Sequence, residues 1–170
     1  MQGNGYSLWL MPTGEVYEQF SGLITTLAEE YQGPVFEPHV TLLGGVRQAE
    51  DEILRRAAQL VVGQPPFAIS LRSVDYHDVY FRALFVRAEQ SDPLQALYTR
   101  AKALLAMPDL PEYLPHLSLL YGHVPPSVKE HIIQAIGRDH TTAFPVNSVH
   151  VFNTNGEAQT WSRVKELPFV

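Results

Sequence analysis

Two segments of the chain share one chemical pattern. Pro38-His39-Val40-Thr41-Leu42-Leu43-Gly44-Gly45 is echoed by Pro115-His116-Leu117-Ser118-Leu119-Leu120-Tyr121-Gly122: proline, histidine, an apolar residue, a hydroxyl residue, then two leucines. Alternate side chains of a strand share a face, so His39 projects with Thr41 and His116 with Ser118, while Val40, Leu42, Leu117 and Leu119 turn into a core. Each copy offers an imidazole beside a hydroxyl. Cleaving a phosphodiester with water needs a base for the nucleophile, an acid for the departing oxygen, and donors for the phosphoryl oxygens. Two imidazoles and two hydroxyls supply that set. Unperturbed histidine titrates near about 6.5, which makes one neutral and one protonated partner accessible at neutral pH. Thr41 and Ser118 would donate to the non-bridging oxygens, and the scheme requires neither a metal nor a cofactor.

A lone strand histidine is more often a satisfied structural residue than a catalytic one; the matched duplication reverses that reading. His77, His123, His131, His140 and His150 have no matching partner or spacing and read as ordinary. A catalytic zinc site takes three protein ligands, and no third histidine or carboxylate stands in the motif context. Glycine-rich phosphate loops and a Gly-x-Ser-x-Gly elbow are absent, so triphosphate hydrolysis and serine-hydrolase chemistry have no support. Trp9 and Phe81 could stack on a base, although core packing is the commoner duty of such residues. Arg82, Arg87 and Arg163 could neutralise phosphate, with Arg82 the best of the three.

The elements that must position these groups alternate along the chain. Tyr6 to Met11 reads as a buried strand stopped by Pro12. Val16, Phe20, Leu23, Ile24, Leu27 and Tyr31 then form the face of a helix capped at Thr13 and ended by Gly33-Pro34. The first histidine strand follows, then a helix from about Glu50 to Val62, ended by Gly63 and Pro65-Pro66. Phe67 to Val74 and Tyr80 to Ala88 read as a hairpin. Asp92-Pro93 opens a third helix, which Pro108 closes; a proline-rich loop leads to the second histidine strand. Pro125-Pro126-Ser127 begins a fourth helix, with Ser127 and Glu130 at capping-box spacing, and Gly137 ends it. Val146 to Thr154 and Thr160 to Leu167 make the last strand pair around Asn155-Gly156. Both halves read helix, histidine strand, helix, hairpin. The expected fold is α+β: two pseudo-symmetric lobes, each an antiparallel sheet with flanking helices, facing across a central cleft. We expect residues 1–170 to form one bilobal domain, with repeat halves of roughly 13–88 and 92–167.

Composition narrows the function classes. The net charge is −6, and no run of Lys or Arg stands out, which argues against salt-driven binding of long nucleic acid. A small phosphorylated ligand stays compatible, because a few aimed donors can hold one phosphate. With no cysteine, disulfides and thiolate zinc sites are excluded. Tyr6 to Met11 is too short for a signal core or a membrane span, so a cytoplasmic, soluble monomer is the expectation.

The chain resembles the two-histidine phosphoesterase superfamily, and more closely its cyclic phosphodiesterase branch. The resemblance rests on Tyr6-Ser7-Leu8-Trp9 ending in Pro12, Gly33-Pro34 to Phe36, the two histidine segments, and Thr160-Trp161. It implies an acid–base pair of His39 and His116, phosphate binding by Thr41 and Ser118, and a phosphate or water contact for Tyr121. Strict strand alternation puts Tyr121 on the opposite face from His116, so that contact requires the strand to end or bend after Leu120. By the same resemblance His116 is the base and His39 the acid. The implied activity opens a nucleoside 2′,3′-cyclic phosphate or ADP-ribose 1″,2″-cyclic phosphate to a monoester without a metal. The alternatives are an RNA 2′,3′-cyclic phosphodiesterase or 2′-5′ RNA ligase-like enzyme, and a non-catalytic nucleotide-binding module.

Overall fold

A computed structural model describes residues 1–107 and 109–170 of the chain, so the helix stop expected at Pro108 lies outside the described residues. The order is β1 (Tyr6–Leu10), α1 (Gly14–Tyr31), β2 (Val40–Val46), α2 (Glu50–Val61), β3 (Phe67–Asp75), β4 (Leu84–Ala88), α3 (Asp92–Leu104), β5 (His116–Leu120), α4 (Pro126–Ile136), β6 (Asp139–Val146), β7 (Ser148–Asn153) and β8 (Ser162–Pro168). Short 3-10 turns occupy Tyr80–Arg82 and Ala158–Thr160.

The strands form one eight-stranded antiparallel sheet ordered β6-β3-β4-β5-β2-β1-β7-β8. The two histidine strands, β2 and β5, are its central neighbours, and they pair at one register position, Val40 opposite Leu117. Two four-stranded arms therefore meet at the repeated motif, one running β5-β4-β3-β6 and the other β2-β1-β7-β8. Each arm takes strands from both sequence halves. The strand beside each histidine strand places an aromatic residue opposite the motif hydroxyl: Phe85 pairs with Ser118, and Trp9 with Thr41. The α+β architecture with two antiparallel lobes is as the sequence implies.

Alternation builds the core under the site. Val40, Leu42, Leu117 and Leu119 are all 1% exposed or less. Helix α1 buries Phe20, Ile24, Leu27 and Ala28, packs on β5 and β6, and ends at Gln32, which adopts a left-handed φ of 56° and donates its N–H to the Ala28 carbonyl. Helix α2 buries Ile53, Ala57, Leu60 and Val61 against α3, β7 and β8.

Three local expectations need correction. The run Tyr80 to Ala88 is not one strand, because Tyr80–Arg82 forms a turn tied to β5: Gly122 N–H donates to the Tyr80 carbonyl and Ser118 Oγ to the Phe81 carbonyl. The strand at Asp139–Val146 was missed, because it is an edge strand, largely exposed and containing Pro145, and so lacks an apolar signature. Ser127 does not cap α4; the cap position is Pro125 and no side chain bonds there.

Because Leu117 is fully buried where the arms meet, Leu117→Ala is expected to destabilise the chain by about 2–5 kcal/mol. Urea unfolding would measure this; a loss well under about 1 kcal/mol would mean that the seam between β2 and β5 is not a packed part of the core.

Candidate active site

His39 immediately precedes β2, and His116 is the first residue of β5. Both rings are held in the same way. His39 Nδ1 lies 2.6 Å from the carbonyl oxygen of Glu37, and His116 Nδ1 lies 2.7 Å from that of Leu114. A carbonyl only accepts, so each Nδ1 carries the proton and donates it two residues back. Each Nε2 is left with a free lone pair. The duplicated motif thus duplicates a ring orientation and a tautomer as well as a residue type.

The two histidines line one cavity of about 400 Å³ together with Thr41, Ser118, Tyr121, Arg82, Trp9 and Phe81, whereas Arg87 and Arg163 do not line it. Its far wall is Phe81 and Trp161, whose rings lie 5.8 Å apart, and its rim carries Gln2, Gly3 and Asn4. Past Thr41, Gly44, Arg82 and His116 the groove continues into a second hollow of about 320 Å³ along Leu110 to Leu114.

Burial dominates the electrostatics. His39 is 4% exposed, and desolvation drives its pKa from 6.5 down to about 3, against the opposing Glu37 carbonyl and with a further lowering from His116. His116 is also lowered, first by burial, with further lowering from the positive charges of Arg82 and Arg87, while its carbonyl bond to Leu114 works the other way. Both imidazoles are neutral in the ligand-free chain at neutral pH.

Trp9 does something other than hold a base. Its ring is 2% exposed, lies parallel to His39 at 3.5 Å and 6°, and stacks on Phe152 at 3.8 Å on the other side. With both faces engaged it has no surface for a nucleobase, and it serves as a slab beneath the imidazole. Phe81 keeps an edge-on contact to Tyr121 at 5.2 Å and remains partly exposed in the wall.

The strand end after Leu120 resolves the parity problem at Tyr121. Released from alternation, Tyr121 lines the same cavity as Ser118 and stacks on Phe36 at 3.8 Å. Burial keeps its phenol protonated. Gly44 is the corresponding position in the first copy, and a Cβ there would come within 3.2 Å of Ser7 Oγ and 3.6 Å of Thr41 Cγ2. One copy carries a phenol, and the other has no room for a side chain unless Ser7 shifts.

Of the three arginines, Arg87 is bound to Asp75, with Nε–Oδ2 at 2.8 Å, and Arg163 to Glu37 at 3.2 Å. Arg82 alone of them lines the cavity and has no carboxylate partner among the described residues. The turn that carries it is held from behind by a residue the sequence did not reveal. Lys129 on α4 is 2% exposed, and its ammonium donates to the His77 carbonyl at 2.9 Å and to Asp78 Oδ1 at 2.7 Å. Tyr113 was also missed; its hydroxyl donates to the Thr41 carbonyl at 3.0 Å, tying the loop before β5 to β2. A basic residue within an apolar helix face is the one available signal for Lys129, and Tyr113 has none.

The other five histidines lie outside the cavity. Among them His150 is buried, with Nε2 3.1 Å from Ser148 Oγ. Among the described residues no group of three or more His, Cys, Asp or Glu is placed to hold a metal ion, and no helix is long and apolar enough to cross a membrane.

Comparison with known proteins gives the family and the fold. Residues 4–170 match the family described as cyclic phosphodiesterase-like protein. The cyclic phosphodiesterase of Arabidopsis thaliana is 26% identical over 119 residues, a stretch covering 70% of this chain and 66% of that protein, just under two thirds of its length. The fold matches the crystal structure of TT0787 of Thermus thermophilus (TM-score 0.67, 17% identity, 97% of each chain). It also matches E. coli LigT complexed with 3′-AMP (TM-score 0.64, 13% identity, 99% of each chain).

The depressed histidines have a consequence for stability. The unfolded chain, with ordinary imidazoles near 6.5, binds protons that the folded chain refuses down to about pH 3 at His39. The stability gained by keeping these rings neutral is complete above pH 6.5 and is lost as pH falls toward 3. Denaturant titrations are expected to show that decline, and His39→Gln to flatten it; an identical slope in the variant would assign the decline to other groups.

Proposed function

The chain belongs to the cyclic phosphodiesterase-like family, and from that membership we propose that it hydrolyses a small cyclic phosphodiester to a phosphomonoester. The substrate is a nucleoside 2′,3′-cyclic phosphate or ADP-ribose 1″,2″-cyclic phosphate, and no metal takes part in the chemical step. The observation that carries the reading is the pair of imidazoles with Nδ1–H fixed and Nε2 free, lining one cavity beside two hydroxyls. The acid–base pair is His39 and His116. The curated relative's name supports a cyclic phosphodiester as substrate, and the 3′-AMP complex of LigT supports a nucleotide.

In the proposed reaction His116 Nε2 takes a proton from water, the hydroxide oxygen bonds to phosphorus, and the bond from phosphorus to one ribose oxygen breaks. His39, protonated at Nε2, gives its proton to that oxygen. Thr41 donates to one non-bridging oxygen, Ser118 donates to the other once its hydroxyl turns from the Phe81 carbonyl, Arg82 offsets their charge, and Tyr121 holds the attacking water. Two features support this division. The indole face under His39 favours an imidazolium, whereas the positive charges of Arg82 and Arg87 near His116 favour its neutral form. Burial lowers His39 more strongly while the cavity is empty; a bound phosphate anion supplies the countercharge that reverses this.

The second hollow beyond Thr41 favours a substrate with a group past the ribose, so an RNA 2′,3′-cyclic end, opened or joined by a 2′-5′ RNA ligase-like enzyme, is the second reading. A nucleotide-binding module without turnover has no comparable support. We also propose that residues 1–170 act as one bilobal unit, a monomer in the cytoplasm.

The test is a panel of mononucleotide, ADP-ribose and oligonucleotide cyclic phosphates assayed in EDTA, with the phosphate position of each product determined. Activity in EDTA is expected, together with a loss on the order of 10² to 10⁴ in kcat for His39→Ala or His116→Ala. Full activity in either variant would overturn the acid–base pair.

A further inference from the structure

The reading of His39 as a proton donor asks what keeps its ring aimed, because the chain on its N-terminal side has no regular structure. Residues 33–39 belong to no helix or strand. The carbonyl that fixes the His39 ring belongs to Glu37, in the middle of this irregular segment, so a rotation of one peptide would release Nδ1–H and turn Nε2 away from the cavity.

The Glu37 side chain is held on two sides. Tyr17 Oη on α1 donates to Glu37 Oε2 at 3.1 Å, and Arg163 Nη2 on β8 donates to the same oxygen at 3.2 Å. The Arg163 guanidinium also lies over the Phe152 ring at 5.7 Å. Phe152 stacks on Trp9, and Trp9 stacks on His39. The contacts close into a loop: His39 to Trp9, to Phe152, to Arg163, to Glu37, and back through the Glu37 carbonyl to His39. Both ways of misplacing the imidazole, tilting off the indole and losing the carbonyl, are opposed by the same guanidinium.

His116 lacks this closure. Arg87 likewise lies over an aromatic ring, Phe85, at 5.9 Å, and Phe85 meets His116 at 5.0 Å. Its carboxylate partner, Asp75, sits on β3, away from the segment that presents the orienting carbonyl. That carbonyl belongs to Leu114, whose side chain accepts no hydrogen bond. The difference follows from topology, since β8 reaches Glu37 at the edge of one arm only.

From this juxtaposition we infer that Arg163 and Glu37 are positioning residues for His39, acting through the Glu37 peptide and the Phe152–Trp9 stack and touching no substrate. The inference rests on the proposed role of His39. Arg163 and Glu37 are 41% and 39% exposed at their side chains, so the ion pair itself contributes little to global stability. Its effect is on geometry, where a displacement of about 1 Å at a catalytic group can cost about a hundredfold in rate.

The test uses Glu37→Gln, Arg163→Gln, the double variant and Arg163→Lys. Each of the first two is expected to lower kcat by about tenfold with KM within about twofold, and with an unchanged unfolding midpoint. The double variant is expected to match the worse single, and Arg163→Lys to recover most of the rate, because a lysine can still reach the carboxylate. Nitrogen NMR of the imidazoles gives a readout independent of turnover: the parent chain shows His39 as the Nδ1–H form, and the two glutamine variants a mixture with the other tautomer. Unchanged kcat in both single variants, losses that multiply in the double variant, or an unaltered His39 spectrum would each overturn the inference. If His39→Ala kept full activity, the functional reading would fail while the NMR arm would still decide whether this pair positions the ring.

Discussion

The hydrogen bond from each histidine Nδ1 to the carbonyl two residues earlier is the interaction on which the rest of the structure depends. It costs the ring one nitrogen and dedicates the other. A buried imidazole without such a partner would be free to rotate or change tautomer, and a lone pair aimed into the cavity would then be present only part of the time. The same bond explains how two nearly buried histidines are tolerated: each polar nitrogen on the protein side is satisfied, and the unsatisfied one faces the cavity.

The fold makes this bond twice and then breaks the symmetry around it. Antiparallel arms meeting at Val40 and Leu117 put the two motifs side by side, and the neighbouring strand supplies an aromatic residue opposite each hydroxyl. On one side it is an indole lying flat under the imidazole; on the other it is a phenylalanine tilted by 60°. Tyr121 lines the cavity after one strand, whereas Gly44 in the other stands so close to Ser7 and Thr41 that a side chain there would crowd them. Equivalent backbones thus present two imidazoles in unlike fields, the condition for one to hold a proton while the other lacks it.

Much of the site was legible in the sequence, because its signal is local and repeated. Period-two alternation placed His39 with Thr41 and His116 with Ser118, and it flagged Tyr121 as the residue that required a strand end. The burial of Val40, Leu42, Leu117 and Leu119 followed from the same rule. What could not be read depends on contacts distant in sequence. Trp9 is a base platform or a core residue until the chain shows what lies on its two faces, and those partners, His39 and Phe152, come from β2's approach and from β7. Arg163 resembles a phosphate ligand until Glu37 is found beside it. Strand β6 escaped because an exposed edge strand needs no apolar alternation, and Lys129 because a buried ammonium is recognisable only once its acceptors are in place.

In the proposed mechanism both imidazoles are neutral in the empty site, and one, His39, takes up a proton when a phosphodiester anion arrives. Calorimetric titration with a cyclic phosphonate analogue of the substrate, repeated near neutral pH in buffers of different ionisation enthalpy, counts that proton directly. Uptake of about one proton is expected for the parent chain, and none for His39→Gln. Binding without proton uptake, or equal uptake in the variant, would contradict it.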